Sequence, residues 1–306
     1  MQVVISRDGS TIAWTSDCDG DREIFVASAD GSGLLQLTSN AADDHSPTLS
    51  ADGLAVVFVS DRDGDEELYE VAADGSGLVQ LTVNTARDHS PSQSADGSRV
   101  AYVTHADGDA EIAILSVAAP VPEQLTFNAL PDLSPRLSDD ASRIVWVQRQ
   151  SVDTEIFCID ATGAGMLQLT LNSVDDLEPD ITADGARVVF ASRLPAEEMT
   201  EDDTGATSLG TPGGSARPRR HQFDVFEAST DGSSLRRLTL DDSDEREPGY
   251  SGDGGCIAFV TNAGGDHELE LMDLGSGFTM QLSTDALSDR APRVSATCAK
   301  GAWVKH

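Results

Sequence analysis

Apolar residues along this chain come in short runs of four to six, rich in Val, Ile, Phe and Tyr, and each run ends at a cluster of Gly, Asp and Ser. In the stretch SPTLSADGLAVVFVSDRDGDEELYEVAADGSGLVQLT (46–82) the runs PTLS, AVVFVS, ELYEV and LVQLT are separated by SADG, RDGD and ADGSG. Runs of that length bounded by turn residues predict strands, and a glycine in each separator supplies the positive φ that tight hairpins use. A period near 3.6 is not sustained over ten or more residues anywhere, which excludes a helical solenoid.

The four-strand unit repeats. The aromatic of the second run falls at Trp14, Phe58, Tyr102, Trp146, Phe190, Phe259 and Trp303, with gaps of 44 residues except for one of 69 between Phe190 and Phe259. The long gap contains segment 194–222, rich in Gly, Pro, Thr and charge, which reads as a flexible insertion in an otherwise single domain spanning 1–306. Four antiparallel strands (A to D) at this period predict an all-β fold, a β-propeller of four-stranded blades. Six complete repeats are followed by RAPRVSATCAKGAWVKH, which supplies a further A and B only. The ring therefore has six or seven blades; strand count favours seven, with the last blade completed by C and D strands lying upstream.

The pattern LTxNxxxDHSPxxSADGxxVAxVSxxDGDxEI resembles the TolB-type, WD-like propeller repeat, whose D-x-x-P, SPDG, apolar strand, E-I-Y strand and LT recur in the same order. The family's SPDG is here SADG, with Ala51, Ala95 and Ala183 at the proline position, and its preceding tryptophan is Leu49, Gln93, Leu137 or Ile181. These departures alter packing at the inner strand. The resemblance implies a protein-binding scaffold and a periplasmic or extracellular location.

A formal charge of -33 changes the picture of partners. It opposes binding to nucleic acid or to an anionic membrane, and leaves basic surfaces, small cationic ligands and metal ions. No stretch reaches transmembrane length and the N-terminus lacks a signal-peptide pattern, so the chain reads as soluble, and as a monomer. Cys18, Cys158, Cys256 and Cys298 form no CxxC pair; a bridge between Cys256 and Cys298 is the pairing considered.

In a propeller, D-to-A connections and B-to-C hairpins share one face, and both are acidic here. Asp44, Asp88, Asp132, Asp176, Glu245 and Asp289 each stand three residues before the proline of an inner strand, and are expected to ring the mouth of the central channel. They either cap turns and lock blades or, as like charges needing neutralisation, hold a cation. The hairpins DCDGDRE and DRDGDEE place Asp17, Asp19, Asp21 and Asp61, Asp63, Asp65 at alternate positions, with a partial copy at Asp107, Asp109 and Glu111. Alternating carboxylates around a glycine suit Ca2+, although a hairpin turn alone explains the glycine. Glu23, Glu67, Glu111, Glu155, Asp224 and Glu268 recur at the start of strand C and point to hydrogen bonding at a blade edge. His45 and His89, each directly after a ring aspartate, are read as solvated loop residues rather than transition-metal ligands.

GxSxG, HExxH and phosphate-binding glycine loops are absent from the sequence, and there is no room for the hydrolase domain of propeller peptidases. The reading is a non-enzymatic propeller with an acidic, Ca2+-binding loop face. Two alternatives stand beside it: a metal-dependent hydrolase or lyase acting on a carbohydrate or polyanion, and a halophilic interaction protein without metal.

Overall fold

The computed structural model describes residues 3–18, 20–193 and 222–283. These residues form six four-stranded antiparallel sheets in chain order, β1 to β4 (Val3–Ile5, Thr11–Ser16, Glu23–Ser28, Leu35–Gln36) making blade 1 and β21 to β24 (Glu245–Tyr250, Cys256–Thr261, Glu268–Asp273, Thr279–Gln281) making blade 6. The inner strands of blades 2 to 5 are β5 (Asp44–Leu49), β9 (Asp88–Gln93), β13 (Asp132–Leu137) and β17 (Asp176–Ile181). The molecule is a six-bladed β-propeller. The terminal A and B runs behind the expectation of a seventh blade lie outside the described residues, as does Trp303.

Four of the six blades are pinned by an aromatic pair across strands B and C, whereas Tyr102 of blade 3 faces Ala113 and Phe259 of blade 6 faces Glu270. Trp14 lies opposite Phe25, Phe58 opposite Tyr69, Trp146 opposite Phe157 and Phe190 opposite Phe226, with ring centroids 5.8 to 5.9 Å apart. Such cross-strand pairs fix register and bury large apolar area. The core is distributed over the seams: one apolar cluster joins Val56 and Phe58 to Ala13 and Ile24 of blade 1, and another joins Trp146 to Ala101 and Ile112 of blade 3.

At one end of the channel the A-to-B turns bond blade to blade: Asp8 N–H donates to Ala51 O, Ala51 N–H to Ala95 O, and Ala95 N–H to Asp139 O, at 2.9 to 3.1 Å. Alanine at the proline position of SPDG thus supplies a donor that proline lacks. At the other end every inner strand from β5 on begins earlier than the hydrophobic pattern indicates, at the acid itself, and carries a bulge two residues later. Ser46, Ser90, Ser134, Glu178 and Glu247 adopt φ of 53 to 57° there, each directly before a proline. Left-handed backbone is uncommon for non-glycine residues, and α-region backbone before proline is disfavoured, so packing overrides local preference at these positions.

The 194–222 insertion falls between β18 (Arg187–Ser192) and β19 (Asp224–Ser229), which pair directly, so it extends the B-to-C connection of blade 5. Cys256 is disulfide-bonded, and Cys298 lies outside the described residues.

Candidate functional site

The acids before the inner strands occupy the blade seams. Asp44, Asp88, Asp132 and Asp176 are fully buried and Glu245 is 1% exposed, which corrects the expectation that they ring an open channel mouth. Side-chain amides of Asn40, Asn84, Asn128 and Asn172, four residues earlier, donate to them at 2.7 to 2.9 Å. Arg62 adds two 3.0 Å bonds to Asp44, and Gln148 one of 2.9 Å to Asp132. Opposite each stands the strand C acid of the preceding blade. Glu23, Glu67 and Glu155 accept the backbone N–H of Asn40, Asn84 and Asn172, and Glu111 accepts the Thr126 hydroxyl. The hydrogen-bonding role expected for these strand C acids is thus present, at the seams. Asp289, in the same series, lies outside the described residues.

Two carboxyls meeting in a dry seam cannot both stay ionised cheaply. Burial, reinforced by the facing acid, raises Glu67, Glu111 and Asp176 to about 7. Burial raises Glu245 to about 9, with Asp241 adding to it, because Asp241 replaces the asparagine of the other seams. The Glu67 and Asp88 carboxyls interact across the seam, and burial raises both above their ordinary values.

The hairpin acids remain on the surface. Asp17, Asp61, Asp63 and Asp107 are exposed, and Asp21, Asp65 and Asp109 half-buried, while Asp19 lies outside the described residues. Gly20, Gly64 and Gly108 take φ of 113 to 118°, beyond the left-handed well and accessible to glycine, so the turn itself requires them. In the full copy of blade 2 two of the carboxylates are spent on hydrogen bonds, Asp61 accepting Asp43 N–H at 2.9 Å and Asp63 the Gln80 amide at 2.5 Å, while Asp65 Oδ2 is buried without a hydrogen-bond partner. Among the described residues the partial copy also brings three acids together, with one oxygen each of Asp107, Asp109 and Glu111 within 4.8 Å of the others, while Asp107 also accepts the Gln124 amide at 2.6 Å as Asp63 accepts Gln80.

The channel mouth is lined by the residues after the seam acids, which the sequence reading set aside. Leu133, Ser134, Leu177, Glu178, Pro179 and Glu247 line a cavity of about 380 Å³, which shares Arg136 and Asp180 with the channel below it. Arg246 closes one side by pairing with Glu178 at 2.7 Å. The equivalent positions of blades 2 and 3 are His45 and His89. His45 Nε2 lies 3.6 Å from Glu66, which also holds Arg87 at 2.6 Å, and His89 Nε2 lies 3.3 Å from His105 Nε2. The repeat offered one signal for this division, the asparagine four residues before each aspartate, which marks a carboxylate already occupied.

Residues 4–130 match the family model described as TolB beta propeller domain. No curated protein matches the sequence. By structure the chain is similar to TolB from Acinetobacter baumannii, at 17% identity and TM-score 0.61, covering 94% of this chain and 66% of that one. It is similar to an oligogalacturonate lyase in complex with manganese (14% identity, TM-score 0.69, 94% and 77% covered). It is also similar to a Mycobacterium tuberculosis puromycin-hydrolyzing peptidase (15%, 0.65, 93% and 47%). The chain spans just under two thirds of the Acinetobacter TolB and less than half of the peptidase, and at these identities the likeness is one of fold. Residues 4–130 thus carry the repeat of the TolB beta propeller domain, and the same four-stranded unit continues in the fold through six blades.

Proposed function

We propose that this propeller is a non-enzymatic binding scaffold whose acidic loop face takes a basic protein surface, with a hard cation such as Ca2+ held by hairpin carboxylates. The observation that carries the reading is the set Asp107, Asp109 and Glu111, graded from exposed to buried along one hairpin, among acidic hairpins on the same face. Oxygen ligands converging on a partly dry pocket suit a hard cation better than a soft one. A disulfide at Cys256 fits the oxidising, exported setting that the repeat family implies.

Calorimetric titration with CaCl2, together with melting with and without chelator, tests the cation. Binding that raises the melting temperature and disappears in Asp107→Asn/Asp109→Asn supports it, whereas no heat and an unchanged melting point remove it. Retention on polylysine that falls with salt, and falls further when Asp61, Asp63, Asp107 and Asp109 become Asn, supports a basic partner. Turnover on a carbohydrate and ester panel would replace this reading with the metal-dependent hydrolase or lyase. Stability that climbs with molar NaCl and ignores Ca2+ would replace it with the halophilic protein.

A further inference from the structure

We propose that His89 and His105 form a binding site for a borderline divalent transition metal, of the Zn2+, Co2+ or Cu2+ class, at the channel mouth. This site is separate from the hairpin carboxylates and does not depend on them.

The two Nε2 atoms face each other at 3.3 Å, with ring centroids 5.4 Å apart. Two imidazole nitrogens on one tetrahedral ion, each 2.0–2.1 Å from it, are separated by about 3.3 Å. The His89 ring is also held from behind. Ser90 Oγ lies 2.8 Å from His89 Nδ1, and with Nδ1–H donating to that oxygen, Nε2 presents its lone pair to His105. Ser90 reaches this position because it occupies the left-handed bulge, at φ 55°. Outer partners of this kind fix the tautomer and aim of a ligating histidine.

The surroundings leave the ion open to solvent or to a bound group. Among the described residues no third His, Cys or carboxylate completes a set within 4.8 Å at this place, so water fills the remaining positions. His45 and Glu66 border the pair, His45 with its own Nδ1 beside Ser46 Oγ at 3.0 Å. Arg87 holds both oxygens of Glu66, at 2.6 and 2.9 Å, and withholds that carboxylate from the site. The arrangement depends on His105 standing where the hairpin of blade 2 has Asp61.

The test uses the tag-free full chain titrated with CoCl2, followed by its visible absorption, with ZnCl2 as competitor. One Co2+ per chain is expected, displaced by Zn2+ and unaffected by CaCl2. His89→Ala and His105→Ala should each weaken binding at least about 100-fold and Ser90→Ala about tenfold, while Arg87→Gln tightens it by freeing Glu66. His267→Ala and Asp107→Asn/Asp109→Asn should leave it unchanged. Circular dichroism melts identify any variant that fails to fold, and His105→Ala, on a surface hairpin, stands in for His89→Ala in that case. Absence of a Co2+ spectrum in the wild type, or Co2+ affinity undiminished in both folded histidine variants, overturns the proposal.

Discussion

Arg62 shows how one side chain settles the fate of another. Its guanidinium sits over Phe58 and Tyr69, 4.4 Å from the Tyr69 centroid, and places two hydrogen bonds on the fully buried Asp44. Arg62→Ala should cost about 2–4 kcal/mol, because a buried carboxylate loses its counter-charge while still facing Glu23. Adding Asp44→Asn should restore most of that loss, and urea unfolding of the two variants and their combination measures it. Neither partner was readable as such. Arg62 looks like the variable residue of a calcium-type loop, and Asp44 like an exposed ring member. The sequence shows spacing, whereas neutralisation depends on which side chain folds back over which seam.

Among elements, the LT that closes each unit has a function the hydrophobic pattern hides. Thr82 Oγ1 accepts the N–H of Leu68, at the start of strand C of the same blade, at 2.9 Å, and the same bond recurs at Thr38, Thr126, Thr170 and Thr239. Ser283 makes it in blade 6, so the hydroxyl rather than the methyl is what the position needs. Thr82→Val should therefore cost about 2–3 kcal/mol by stranding a buried N–H and a carboxyl oxygen, and Thr82→Ser less than about 1 kcal/mol, both read from thermal melts. The strands themselves were legible because short continuous apolar runs and glycine turns are local properties. The inner strands were the exception. Their starts at Asp44, Asp88, Asp132 and Asp176 are hidden by a bulge placing serine or glutamate in left-handed backbone before proline, which local rules disfavour.

Across the whole molecule the seam acids couple stability to pH. Glu67, Glu111, Asp176 and Glu245 have folded values above their unfolded ones, so the folded state binds more protons between the two. Their contribution is complete below about pH 4, falls as pH rises through about 7, and for Glu245 through about 9. The melting temperature should accordingly be higher at pH 5.5 than at pH 8.5. Glu67→Gln should raise it at pH 8.5, equivalent to about 1–2 kcal/mol, while flattening the difference. The sequence made the blades countable up to the terminal A and B runs, but not this coupling, since it arises only where consecutive blades press acid against acid. It also alters what the composition means. The formal charge of -33 counts every carboxyl as ionised, yet near neutrality several are protonated inside the ring. The interior acts as a buffer: mild acid loads protons into the seams without exposing them, so the outer surface keeps its own charge while the seams titrate.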